Sequence, residues 1–318
     1  MGNNDGQLSN NIIKNTTTGN YKGGLLAAIG SATIWGLLPI YWKALIPIPS
    51  EIIILYRIFL SFLVAFLICL KMYGMERIKA PLKQKGILIR YFFAGCLIAG
   101  NWSIYIWAVN AGHVIQTSIG YYIEPLVVCI FGVVIFKEKL SRSKVIALTF
   151  AAIGVMILLI HFGQIPWISL SLAGTFAVYT AIKKKYTMPP ALSLMYETMF
   201  LAPVALVIII YLEANSMGAM VAGATWQYIL MYLCGPFSAG ALMLYAYGTN
   251  NVNMITLGVI KYLSPSMSLL LGIFLFKEGF DLVQFIAVAT IWVGLVFFTA
   301  GEIKEFRKKN GQKSLITK

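Results

Sequence analysis

From residue 24 onward the chain alternates long apolar runs with short polar ones. The apolar runs lie near 24–43, 51–70, 87–109, 114–136, 145–161, 165–182, 191–212, 226–248, 254–276 and 283–300. Each holds 17 to 23 residues, enough for a helix to cross roughly 30 Å of hydrocarbon. The pattern predicts an all-α integral membrane protein with ten transmembrane helices. Its short connectors leave no room for an extramembrane domain. Residues 1–23 are rich in Asn, Gly and Thr and have no apolar core, so a disordered tail is expected there, not a cleaved signal peptide. Residues 301–318 form a basic tail.

The sequence also matches itself at an offset of 140 positions. Tyr122 falls on Tyr262, Pro125 on Pro265, Gly132 on Gly272, Asn110 on Asn250 and Gly154 on Gly294, and the Phe-Lys-Glu beginning at Phe136 recurs from Phe276. The halves are 24–161 and 165–300, with five predicted helices each. An odd number makes the second half enter the bilayer from the opposite side. Two inverted five-helix repeats are the expected architecture, one used by secondary transporters to alternate access around a central site.

Composition supports the bilayer: 59% of residues are hydrophobic, 11% are charged, and the mean hydropathy is +0.80. The formal charge of +14 could suggest nucleic acid, but the basic residues sit at helix ends and in alternate connectors. Twenty of the 25 fall on one face, the triple lysine Lys183, Lys184 and Lys185 among them, so both termini are expected in the cytoplasm. The four cysteines stand alone in apolar runs without metal spacing, and read as buried packing residues. Neither a metal nor a cofactor is expected.

Four ionisable residues lie well inside predicted helices: Arg57, Glu124, Glu197 and Lys261. A charge at mid-bilayer costs about 2.5–3.5 kcal/mol or more, so each should face a partner or a wet cavity. Two cations balance two anions, and Glu124 with Arg57 or Lys261 is expected at the interface of the halves. Buried salt bridges that only fix helix register are the competing reading. Helical spacing puts Thr117, Gly120, Tyr121 and Glu124 on one face, and Gly258, Lys261, Ser264, Pro265 and Ser268 on another. Pro125 and Pro265 permit kinks at matching positions. Asn101, Trp102, Tyr105, Trp107 and Asn110 supply rings and amides for a planar or cationic solute. Trp42, Trp167 and Trp226 lie at helix ends and fit an aromatic belt. His113 and His161 are expected to be solvated or capping.

"WGLLPIYWKAL" at 35–45, "NWSIYIWAVNAGHVIQTSIGYYIEPL" at 101–126 and "FKEKL" at 136–140 resemble the drug/metabolite transporter superfamily, in its ten-helix EamA-type branch and more narrowly the RarD-type proteins. The resemblance runs from residue 24 to residue 302. It implies a plasma (inner) membrane carrier, commonly an exporter, of a small metabolite or drug. The family pattern often has a His before the arginine of helix two, where this chain has Tyr56 before Arg57. Expected partners are a small-molecule substrate, the lipid bilayer, protons if transport is coupled, and a second copy if the chain is a homo-oligomer. A lipid-intermediate flippase and a non-transporting membrane sensor or scaffold are the alternatives. An enzyme is not expected, since the carboxylates lack a nucleophile, metal or cofactor motif.

Overall fold

The computed structural model describes residues 20–84, 86–110, 114–163, 167–277 and 281–316. Among them there is no strand. The described helices of seven or more residues are, in chain order, α1 (Tyr21–Ala44), α2 (Ser50–Lys79), α3 (Ile87–Asn110), α4 (Val114–Val134), α5 (Arg142–Phe162), α6 (Trp167–Lys185), α7 (Pro190–Thr198), α8 (Leu201–Ala214), α9 (Thr225–Met231), α10 (Cys234–Asn251), α11 (Met254–Lys261), α12 (Leu263–Leu270) and α13 (Leu282–Ile316). Helix α1 starts before the expected end of the tail, because Asn20 caps it by accepting the Gly23 N–H at 2.9 Å.

By length and apolarity, seven described helical segments can each cross a membrane, or eight if the bent pair α7 and α8 counts as one span. That is fewer than the ten apolar runs. The bend between α7 and α8 is 56°, and its cause is local. Pro203 has no N–H to offer the Met199 carbonyl one turn earlier, and its ring crowds that carbonyl. The same reasoning places the interruption between α9 and α10 one turn before Pro236, and that between α11 and α12 one turn before Pro265. Helix α4, by contrast, runs through Pro125 without a break.

Close helix crossings hold the bundle together. A Cβ on Gly95 in α3 would stand 2.1 Å from the Glu197 carbonyl oxygen, and one on Gly235 in α10 would stand 2.4 Å from the Leu60 Cβ. Between α5 and α13 the contact is reciprocal. Gly154 lies against Ala287 and Ile291, and Gly294 lies against Ala147 and Phe150. Large apolar side chains such as Ile89, Phe93, Ile160, Val207 and Val296 are exposed on the outside of the bundle. Hydrocarbon solvates such a surface, and water would not.

A prediction follows at the α5–α13 crossing. Gly154→Ala would bring its methyl within 2.6 Å of the Ala287 carbonyl and should cost about 1–3 kcal/mol, read as a lower melting temperature in detergent. Gly174 has nothing within 4 Å of its would-be Cβ, so Gly174→Ala should melt no lower than the parent.

Of the cysteines, Cys69, Cys129 and Cys234 are buried as expected, but Cys96 is exposed; all four are free thiols.

Candidate functional site

Helices α4 and α11 meet where Gly258 allows them to touch. A Cβ there would stand 2.6 Å from the Cys129 sulfur and 2.8 Å from the Pro125 carbonyl, and the Cys129 thiol donates to the Ile255 carbonyl at 3.4 Å. One turn further along α11, Lys261 forms an ion pair with Glu124. Both are buried, Glu124 at 5% exposure and Lys261 at 7%. Three rings surround the ammonium: Phe176 at 3.1 Å, Trp35 at 5.1 Å and Tyr245 at 5.5 Å from nitrogen to ring centre. Tyr245 is fixed in turn by a 2.7 Å hydrogen bond with the Thr180 hydroxyl.

The start of α11 is held by the "FKEKL" segment. Both Glu138 oxygens accept backbone N–H groups, from Met254 at 2.7 Å and from Ile255 at 2.9 Å. Asn253 accepts the Thr256 N–H at 2.7 Å. A carboxylate at a helix N-terminus satisfies donors that the helix itself cannot, and it meets the positive end of the dipole. Glu138→Ala should therefore cost about 1–3 kcal/mol, seen as a lower melting temperature, and Glu138→Gln should recover part of it.

Glu197 lies apart from this centre and is 1% exposed. Its Oε1 accepts Lys183 Nζ at 2.7 Å and the Ser193 hydroxyl at 2.7 Å, and its Oε2 accepts the Tyr179 hydroxyl at 2.9 Å. Lys183 Nζ also donates to the Tyr179 oxygen at 2.9 Å. Lys183 is thus a buried residue of α6 and not part of the basic connector expected from the sequence, and it pairs with Glu197, whose partner the sequence left open. Lys183 therefore joins the four expected residues among the ionisable side chains placed inside the bundle.

Arg57 is the remaining cation. Its guanidinium carbon sits 3.8 Å from the Trp102 ring centre and 5.6 Å from that of Trp42, so Trp42 is not only a belt residue. The rings of Tyr105 and Tyr121 meet at 5.6 Å between centres with a tilt of 59°, and both lie near Arg57. Among the described residues no carboxylate pairs with it.

The other expected site residues make contacts of their own. Asn101 fastens α3 to α6, donating to the Leu172 carbonyl at 2.8 Å and the Thr175 hydroxyl at 2.9 Å. The backbone carbonyl of Ser264 lies against Gly36 of α1, and the Ser268 hydroxyl donates to the Gly36 carbonyl at 3.2 Å. The side chains of Thr117 and Asn110 and the whole of His113 lie outside the described residues. Trp167 and Trp226 are exposed at their helix starts. His161 at the end of α5 meets Asp281 at the start of α13 at 3.0 Å. The Gln284 N–H and the neighbouring imidazole hold the Asp281 carboxyl below its usual range.

Sequence reasoning missed Lys183 as a partner and Phe176 and Trp35 as the walls around Lys261. A signal for the first existed: Tyr179 and Lys183 are four apart on one helix, hence on one face. None existed for the rings, which come from distant helices.

The match to known proteins agrees with this architecture. The model of the EamA-like transporter family matches residues 22–160 and again 165–300. The chain belongs to the EamA-like transporter family. It is 35% identical over 287 residues to "Uncharacterized transporter YojE" of Bacillus subtilis (strain 168), covering 89% of this chain and 95% of that one. It is 30% identical over 285 residues to "Protein RarD" of Escherichia coli (strain K12), covering 90% and 96%. A similar protein of Pseudomonas aeruginosa, 23% identical over 290 residues, is called "Chloramphenicol-sensitive protein RarD". One crystal structure sharing 17% of its residues superposes with a TM-score of 0.67 over 87% of this chain and 97% of the other, a likeness of fold alone. These relatives make the chain a RarD-like member of the drug/metabolite transporter superfamily, a multi-pass membrane protein.

Proposed function

We propose that this chain is a secondary transporter that exports a small organic metabolite or drug across the plasma membrane by alternating access. The buried Glu124–Lys261 pair carries the reading. An ion pair deep in apolar surroundings is expensive, and this one joins α4 to α11. Those are the helices that correspond at the 140-residue offset.

Ten membrane-crossing segments in two inverted halves are part of the proposal. Two features support them: the family model matches twice, at 22–160 and 165–300, and Gly154 and Gly294 pack reciprocally on Ala287 and Ala147. The second contact is the first shifted by 140 in both partners, as a two-fold axis between the halves would require. If export is driven by protons, Glu124 is the group that carries them, because the same carboxylate that holds Lys261 can release it on protonation. Both termini lie in the cytoplasm in this arrangement.

Reconstitution into proteoliposomes tests the reading. Amino acids, amines, nucleosides and amphenicols, each radiolabelled, are offered with and without a proton gradient. Saturable, protein-dependent exchange of one class is expected. No exchange of any class beyond that of empty vesicles would overturn it.

A further inference from the structure

Resting on the transport reading above, we infer that the substrate is an organic anion, a carboxylate or phosphate head on an aromatic or apolar body, and that Arg57 receives the head. Glu124 is already engaged by Lys261, and Glu197 by Lys183. Glu213, whose carboxylate lies beside Tyr56, is also engaged. It accepts the Tyr56 hydroxyl at 2.7 Å and the Ala219 N–H at 2.8 Å. Arg57 is left with no negative partner among the described residues, and a guanidinium within the bilayer is costly unless it faces a partner or a wet cavity.

At least one of its donors is free among the described residues. The Trp102 ring centre stands 3.8 Å from the guanidinium carbon, a contact that stabilises the charge without accepting a hydrogen bond in the guanidinium plane. Nε is buried without a hydrogen-bond partner among the described residues. An unused Nε–H next to an Nη–H is one edge of the fork that grips a carboxylate or phosphate through two parallel bonds. A buried donor left unpaired is costly, so the vacancy favours a ligand that fills it.

The surroundings select the rest of the ligand. Trp42, Trp102, Tyr105 and Tyr121 line the region around Arg57, and Tyr121 keeps 40% of its surface accessible despite its position inside α4. Such rings stack on a planar body. The position equivalent to Arg57 at the 140-residue offset is Glu197, sealed by Lys183, Tyr179 and Ser193. The open cation therefore belongs to one half only.

Binding to the full chain in detergent tests the assignment, with one naphthyl body carrying four heads: carboxylate, phosphate monoester, ammonium and alcohol. The carboxylate or the phosphate should bind most tightly, and the stronger of the two identifies the head group. Arg57→Gln should weaken that binding by about tenfold to hundredfold. Arg57→Lys, which keeps the charge and loses the fork, should fall between the two. Equal or tighter binding of the ammonium or alcohol by the parent protein overturns the inference without requiring any variant to fold. So does unchanged anion binding by a folded Arg57→Gln protein, or the absence of binding by both anions. Exchange of an amine or an amphenicol in proteoliposomes, with no anion bound, would remove the anion assignment and leave the transport reading standing.

Discussion

Glu197→Ala is expected to lower the stability of the folded protein by about 3–5 kcal/mol, enough to abolish accumulation in the membrane or to move the melting transition far down. The carboxylate accepts three donors at 2.7 to 2.9 Å and is 1% exposed. Its removal leaves Lys183, itself 4% exposed, as a buried ammonium. Among the described residues, the Tyr179 oxygen and ring remain to it. The double replacement Lys183→Met with Glu197→Leu should recover most of the loss, since swapping a buried pair for apolar side chains of similar size is often neutral or stabilising. A thermal melt of both single variants and the double variant forms a cycle that isolates the pair. If Glu197→Ala melts within 1 kcal/mol of the parent, taking that small difference as the ordinary effect of a surface change, the pair is not the lock that its geometry implies. The backbone of the same residue is equally constrained, because Gly95 packs on its carbonyl.

The contrast with Arg57 explains what the sequence could and could not reveal. Apolar runs of membrane-spanning length are visible in any one chain, and so is the 140-residue repeat, because both are local or periodic. The candidate charges were equally visible, since a lone ionisable residue in an apolar run stands out. Pairing was not legible. Lys183 closes a helix that ends in three lysines, and from the chain alone it reads as one of a solvated group. Only the crossing of α6 with α7 turns it inward to Glu197. The walls around Lys261 come from α1, α6 and α10, far apart in sequence. The breaks at Met199, at Tyr232 and at Tyr262 were legible in principle. Each stands within one turn before a proline, and Pro125 shows that the proline alone does not decide the outcome. Asn101 was drawn to the site by its polarity, whereas its amide is consumed by the Leu172 carbonyl and the Thr175 hydroxyl.

The second large effect concerns the two ends of the central pair, which should respond unequally to loss of their partner. Glu124→Gln removes the counter-ion of Lys261, but Phe176, Trp35 and Tyr245 still surround the ammonium. Desolvated cation–π contacts are worth about 2 kcal/mol or more, and the amide oxygen can still accept one hydrogen bond. That variant should fold, at a cost of about 1–2 kcal/mol. Lys261→Met leaves a buried carboxyl with no cation and with rings whose negative faces offer it nothing, so a loss of about 3–5 kcal/mol is expected. Transport should reverse the order of interest. In the folded Glu124→Gln protein, gradient-driven flux should disappear while exchange without a gradient persists, because the glutamine can neither bind nor release a proton. Melting temperatures and proteoliposome flux of the two variants together decide the matter. Equal destabilisation would mean that the aromatic walls do not support Lys261. Unchanged gradient-driven flux in Glu124→Gln would mean that the pair fastens α4 to α11 and takes no part in coupling.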